Sequence, residues 1–161
     1  MKIVHINLAK TWRGGERQVF LLMRGLQEEK IDQVLICRKG SALENEANKA
    51  GLTTHAFPKR PFSSLFQASI LKKLEAKGFD IVHCHESEAQ TLGILGKVLW
   101  KTNQKLIVHR RVIFPIKNKP TTAFKYSEKN ILRMICISKA VEESVKNSIG
   151  FKNTVVVPSM I

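Results

Sequence analysis

Seven short runs rich in Val, Ile and Leu recur along the chain. They are KIVHINL (2–8), QVLICR (33–38), THAFP (54–58), DIVHCH (80–85), KLIVHR (105–110), RMICIS (133–138) and TVVVP (154–158). Several are apolar almost throughout, the pattern of parallel strands covered on both faces. The stretches between them follow a different period. Val19, Leu22, Met23 and Leu26 stand at i, i+3, i+4 and i+7, so residues 16–29 predict an amphipathic helix. Residues 41–51 begin with Ser41, carry Glu44 three positions on and end in Gly51, the signs of a capped helix with a glycine stop. Residues 63–78, 87–101 and 138–150 read as three more helices, opened by serines and, in two cases, closed by Gly78 and Gly150. The stretch RVIFPIKNKPTT (111–122) holds two prolines and no periodicity, so it reads as a loop with a functional role.

Strands separated by helices imply right-handed crossovers. The expectation is an α/β, Rossmann-like, doubly wound and mainly parallel sheet of about seven strands with helices on both faces. The chain ends on VVVPSMI, directly after what reads as the last strand, which predicts one half of a larger protein.

Composition narrows the setting. With 161 residues and 43% hydrophobic positions, one domain with a sizeable core is affordable. No apolar run approaches a membrane span, and the N-terminus lacks the apolar core and small-residue cleavage site of a signal peptide. Cys37, Cys84 and Cys136 each lie in an apolar run, an odd count that predicts buried, reduced thiols and a reducing, cytoplasmic compartment. The net charge of +14 changes the picture more. It favours polyanionic partners: nucleic acid, an anionic membrane surface or phosphorylated substrates.

In an open parallel sheet, ligands bind beyond the carboxyl ends of the strands. That rule gathers Trp12, Arg13, Gly14 and Gly15 after the first strand, His85 and Glu86 after the fourth, His109, Arg110 and Arg111 after the fifth, and Ser138 after the sixth. Two glycines at a helix N-terminus let an anion approach free backbone N–H groups, with Arg13 adding a full charge. They also suit a tight turn into a closely packed helix. The dinucleotide and phosphate-loop fingerprints are both absent. His83 and His85 would face the same side of a strand and put two imidazoles on one ion, but no third ligand stands at a recognisable spacing. The favoured reading packs His83 in the core and leaves His85 on the rim beside Glu86. His109 is the better catalytic candidate, able to hydrogen-bond a sugar hydroxyl or move a proton, or else to serve as a structural histidine. Arg110 and Arg111 alternate in direction, so one of them faces the cleft. Residues 57–77 mix Phe62, Leu65 and Phe66 with Lys59, Arg60, Lys72, Lys73 and Lys77, which suits either the headgroup zone of an anionic membrane or a covering helix with a solvated lysine face.

Over essentially its whole length the sequence resembles the N-terminal domain of glycosyltransferase family 4, of the GT-B fold. KIVHINLAKTWRGGERQV is similar to the family's opening strand and glycine pair, and FDIVHCHES to its Asp-apolar-apolar-His-x-His stretch. KLIVHRRVIFP resembles the strand ending in a functional histidine, here followed by two arginines. KYSEKNILRMICISKAVEESV resembles the tyrosine-containing segment and the strand before the last helix. TVVVPSMI resembles the linker strand, with Met160 where the family usually has glycine.

The resemblance implies a retaining transferase that moves a sugar from a nucleotide-sugar donor to an acceptor, with no essential metal and no cofactor. It implies that Gly14, Gly15 and Arg13 lie on the donor side, that His109 is catalytic beside the reacting sugar, and that His85, Glu86 and Arg111 line the acceptor side or cleft. Residues 1–161 would form the acceptor-side domain. The donor-binding C-terminal domain, with its two-glutamate motif, would lie outside this chain, and the fragment alone would turn over little. A basic surface would fit a cell-envelope acceptor, a glycolipid or oligosaccharide such as lipopolysaccharide core. It would also fit peripheral attachment to the cytoplasmic face of the inner membrane. Two other classes compete: a non-catalytic Rossmann-like binding module, and a basic nucleic-acid-binding protein. The second lacks zinc-finger spacing, a recognition-helix pattern and ribonucleoprotein aromatics, so no nucleic acid is expected.

Overall fold

The computed structural model describes residues 1–58, 63–116 and 120–158. Lys59, Arg60, Phe62 and Met160, singled out above, lie outside the described residues. The strands are β1 (Lys2–Asn7), β2 (Asp32–Arg38), β3 (Thr54–Phe57), β4 (Ile81–Cys84), β5 (Lys105–Arg110), β6 (Arg133–Cys136) and β7 (Thr154–Val156). All neighbours pair in parallel, in the order β3-β2-β1-β4-β5-β6-β7. This is the expected doubly wound, Rossmann-like sheet.

The helices are α1 (Gly14–Glu28), α2 (Ala42–Lys49), α3 (Ser63–Gln67), α4 (Ser69–Ala76), α5 (Ser87–Leu99), α6 (Pro120–Lys125) and α7 (Lys139–Ile149). The chain steps outward from β1 to β2 and β3, then crosses back and steps the other way from β4 to β7. Right-handed crossovers in opposite directions put the helices on opposite faces. Strand alternation shows this. Leu35 and Cys37 of β2 pack with Val19 and Met23 of α1 and Leu43 and Ala47 of α2. Val34 and Ile36, one step along, join Val4, Ile6, Val82, Cys84, Val108 and Met134 under Leu71, Leu92 and Val141 of α4, α5 and α7. Each Leu or Ile fully withdrawn from water contributes about 1.5–3 kcal/mol.

Helix boundaries follow local chemistry. The Ser41 hydroxyl accepts the Glu44 amide at 3.1 Å, and the Ser138 hydroxyl accepts that of Val141 at 3.3 Å. Gly51 and Gly150 leave their helices at φ of 71° and 66°, the left-handed region where other residues are strained. Three boundaries differ from expectation. The helix over 63–78 is broken at Ala68 into α3 and α4. α6 begins inside the stretch read as irregular. α1 starts at Gly14, two residues early, so the glycine pair forms its first turn.

α5 lies flush on the sheet. A Cβ at Gly93 would sit 2.6 Å from Leu106 Cδ1 and 3.0 Å from Cys84 Sγ, and one at Gly96 would sit 2.6 Å from Leu71 Cδ1. Gly93 thus approaches β4 and β5, and Gly96 approaches α4; at the N-terminus of α5, Glu86 accepts the Leu8 amide at 3.2 Å.

Candidate functional site

The carboxyl ends of β1, β4 and β5 are adjacent in the sheet, so the segments after them meet. After β1, Arg13 takes extended backbone (φ −126°, ψ −178°) and α1 begins at Gly14. No side chain caps this helix from Arg13, an all-donor residue. By contrast α2, α5 and α7 are capped by Ser41, Glu86 and Ser138. Glu16 accepts the Arg13 amide at 2.9 Å. A Cβ on Gly14 would meet nothing within 4 Å, and one on Gly15 would meet Arg111 Cδ at 3.9 Å. Neither glycine has positive φ. Strain and crowding therefore do not require these glycines. α1 packs closely through Val19 and Met23, one turn and more beyond the glycines.

Arg111, the neighbour of Gly15, lies over a cluster of four imidazoles. His5 and His83 are register partners on neighbouring strands, and His85 follows two residues on, so all three share a face. Their ring centroids lie 5.6 Å (His5–His83), 5.3 Å (His5–His85) and 4.0 Å (His83–His85) apart. His109 joins from β5, stacked on His83 at 5.8 Å and tilted against His85 at 6.1 Å. His5 Nδ1 and His85 Nε2 are hydrogen-bonded at 3.0 Å. Arg111 covers the group. Its Nη1 donates to the His85 carbonyl at 2.6 Å, and its Nη2 lies 3.2 Å from His85 Nδ1 and 3.3 Å from His109 Nδ1.

Burial dominates the electrostatics. Desolvation lowers His5 to about 4, and desolvation with the nearby Arg111 charge lowers His109 to about 3. His83 and His85 fall well below the usual histidine range, through burial first and then neighbouring rings and Arg111. All four are neutral imidazoles near pH 7. Burial also lowers Arg111 to about 10, which leaves it charged.

The structure brings Gly15, Arg111, His109 and His85 together and gives the remaining candidates different settings. Arg13 is exposed at the rim. His85 is only 2% exposed, beneath Arg111 rather than open on the rim. Glu86 is a helix cap: its carboxylate accepts the amides of Leu8, Glu88 and Ala89. Of the two arginines, Arg111 turns to the histidines, while Arg110 bonds the Phe114 carbonyl and the Tyr126 hydroxyl. His109, Arg111, Glu86, Gln90 and Tyr126 line a cavity of about 340 Å³.

Sequence reasoning missed His5. Three buried histidines, His5, His83 and His85, each offer a ring nitrogen within 4.8 Å of the others, the third ligand that spacing did not reveal. Neutral imidazoles suit zinc and similar ions. An ion there would sit against the Arg111 guanidinium with no carboxylate in the set, an unfavourable charge arrangement. The only signal for His5 in the sequence was its place on the first strand, beside the fourth once the crossover topology is drawn.

Among the described residues no helix is long and apolar enough to cross a membrane. No curated protein matches this chain. A glycosyltransferase from Rickettsia africae ESF-5 is similar in structure, with TM-score 0.76, 18% identity, and coverage of 98% of this chain and 42% of that one. Anabaena Alr3699/HepE in complex with UDP and glucose superposes at TM-score 0.77, with 15% identity, over 100% of this chain and 45% of its own. The lipopolysaccharide outer core galactosyltransferase WaaB superposes at 0.71, with 13% identity, over 100% and 46%. The chain thus spans less than half the length of these structures. The sequence model of Glycosyltransferase Family 4 matches residues 12–161, and the chain belongs to that family.

Proposed function

We propose that residues 1–161 form the acceptor-side, N-terminal domain of a two-domain glycosyltransferase. It transfers a sugar, with retention, from a nucleotide-sugar donor to a cell-envelope acceptor, and a second domain completes the donor site. The observation that carries this reading is the first turn of α1, with no side-chain cap from Arg13, where Gly15 neighbours Arg111, whose guanidinium in turn reaches His109. In the transfer, the bond from the anomeric carbon to the donor phosphate oxygen breaks, and the acceptor oxygen bonds to that carbon and passes its proton to the departing phosphate oxygen. Negative charge grows on the departing diphosphate. Free amides at a helix N-terminus and a neighbouring guanidinium stabilise such charge without reorganising. His109 lies beside the reacting sugar, and the cavity next to it takes the acceptor. Arg13, on the exposed rim, adds attraction for the donor. The solved relatives support the donor class, since the Anabaena protein holds UDP and UDP-glucose.

The test separates this reading from nucleic-acid binding, which the charge of +14 alone would favour. UDP-glucose and a DNA duplex are titrated into the protein at low and high salt. The account predicts UDP-glucose binding that survives salt. DNA binding that collapses steeply with salt, with no response to UDP-glucose, contradicts it.

A peripheral contact with an anionic membrane belongs to the same proposal. Phe66 is 77% exposed, with Leu65, Leu99 and Trp100 also in solvent. Trp100 Nε1 donates to the Leu65 carbonyl at 3.2 Å, joining α3 to the end of α5 in one apolar patch. Lys72 and Lys73 on α4, Lys77 just after it and Lys101 just after α5 are also exposed. Aromatic rings beside lysines suit a headgroup layer. Co-sedimentation with anionic but not neutral vesicles, weakened in Phe66→Ser, is expected; equal recovery with both vesicles contradicts it.

A further inference from the structure

Arginine carries five N–H donors and no acceptor. A ring nitrogen that meets one as a hydrogen-bond partner therefore presents its lone pair. Arg111 Nη2 meets His85 Nδ1 at 3.2 Å and His109 Nδ1 at 3.3 Å. Both rings are neutral, so the proton of each sits on Nε2. The deduction runs one step further. His85 Nε2 lies 3.0 Å from His5 Nδ1, and a protonated Nε2 donates. His5 Nδ1 accepts, which moves the His5 proton to its own Nε2. Without Arg111 the bond between His5 and His85 has no preferred direction, because either ring could donate.

We propose that Arg111 is a positioning residue that sets the tautomers of His109, His85 and His5 through one guanidinium, and so makes His109 a hydrogen-bond donor through Nε2 rather than a proton acceptor. His109 Nε2 has no hydrogen-bond partner among the described residues, and its ring borders the 340 Å³ cavity. A buried donor without a partner is costly, and a ligand oxygen brought against it removes that cost. His109 Nε2 is closed off from the cavity as the domain stands, so it orients a substrate oxygen only once that nitrogen is uncovered, and the acceptor's proton passes to the departing phosphate oxygen. This last consequence rests on the transferase reading above; the tautomers do not.

The experiment reads the rings directly. Protein labelled with ¹⁵N-histidine is examined at neutral pH by long-range ¹H–¹⁵N correlation, which identifies the protonated nitrogen of each ring. The expected result is a protonated Nε2 and bare Nδ1 on His5, His85 and His109. In Arg111→Met, His85 and His109 acquire a population protonated on Nδ1. In Arg111→Lys, which keeps a cation that only donates, at least one of the two retains the original form. His55, on β3 and outside the cluster, reports that each variant is folded. A proton on Nδ1 of His85 or His109 in the unmodified protein overturns the proposal. So do unchanged tautomers in a folded Arg111→Met. If the methionine variant fails to fold, the unmodified protein alone decides. Failure of the transferase reading would leave these spectra as expected, and the converse also holds, so the two are separable.

Discussion

Arg111 Nη1 donates to the backbone carbonyl of His85 over 2.6 Å, tying the segment after β5 to the end of β4. The bond joins the two strand ends that carry the site. Its strength comes from a charged donor in a largely dry setting. Arg111→Ala leaves that carbonyl without its donor and removes the contacts to both rings. The unfolding free energy should fall by about 1.5–3 kcal/mol, measured by urea denaturation. Arg17→Ala, exposed on α1, should change it by less than about 0.5 kcal/mol.

The neutral histidine cluster makes the fold sensitive to mild acid. His5 and His109 have folded pKa values of about 4 and about 3, both below the ordinary 6.5. As pH falls below 6.5 the unfolded chain takes up protons that the folded chain does not. Stability is thus fully present above that pH and is lost as pH drops toward the folded values. Each ring that stays neutral removes up to about 1.4 kcal/mol per pH unit. The urea midpoint should fall clearly between about pH 7 and about pH 5, above the range where carboxylates titrate. A flat midpoint across that window would count against the buried neutral cluster.

Gly14→Ala should separate stability from binding. The new methyl group meets nothing within 4 Å, and alanine is the better helix former by about 0.5–1 kcal/mol. The melting temperature should hold or rise. Binding of a nucleotide sugar should weaken by about tenfold, because the methyl occupies the space in front of the first amides, a loss of about 1.4 kcal/mol. Equal binding in the two proteins would mean that the turn is not a ligand surface.

The three thiols should be silent in the native state. Cys37, Cys84 and Cys136 are buried and unpaired, and burial raises all three, Cys37 to about 12. A thiol reagent should label none of them in buffer and all three in denaturant. Rapid labelling of the folded protein would contradict the packing of β2, β4 and β6.

The strands were legible because burial on both faces leaves an apolar run that needs no partner to be seen. KIVHINL and KLIVHR became β1 and β5 to within a residue. What was hidden depends on contacts distant in sequence. The break at Ala68 follows no glycine or proline, and Ala68 itself is fully buried in the core. His5 could not be joined to His83 and His85 without the β1–β4 pairing, 78 residues apart, that brings Lys2 and Asp80 together as well. Glu86 read only as an acceptor-side or cleft residue, because its role as a helix cap depends on how α5 meets β1. Conversely, the glycine pair stood out at once, since two glycines at the start of an amphipathic helix oppose its local propensity.

The central claim is that the first turn of α1, with Arg111 beside Gly15 and His109 next to Arg111, forms a wall of a nucleotide-sugar site. The most direct measurement is an amide NMR titration of this chain with UDP-glucose. The account predicts saturable shifts largest at Gly14, Gly15 and Glu16, with Arg111 and His109 following. Shifts confined to other parts of the sheet, or no displacement of these amides up to the solubility limit of the ligand, would contradict it.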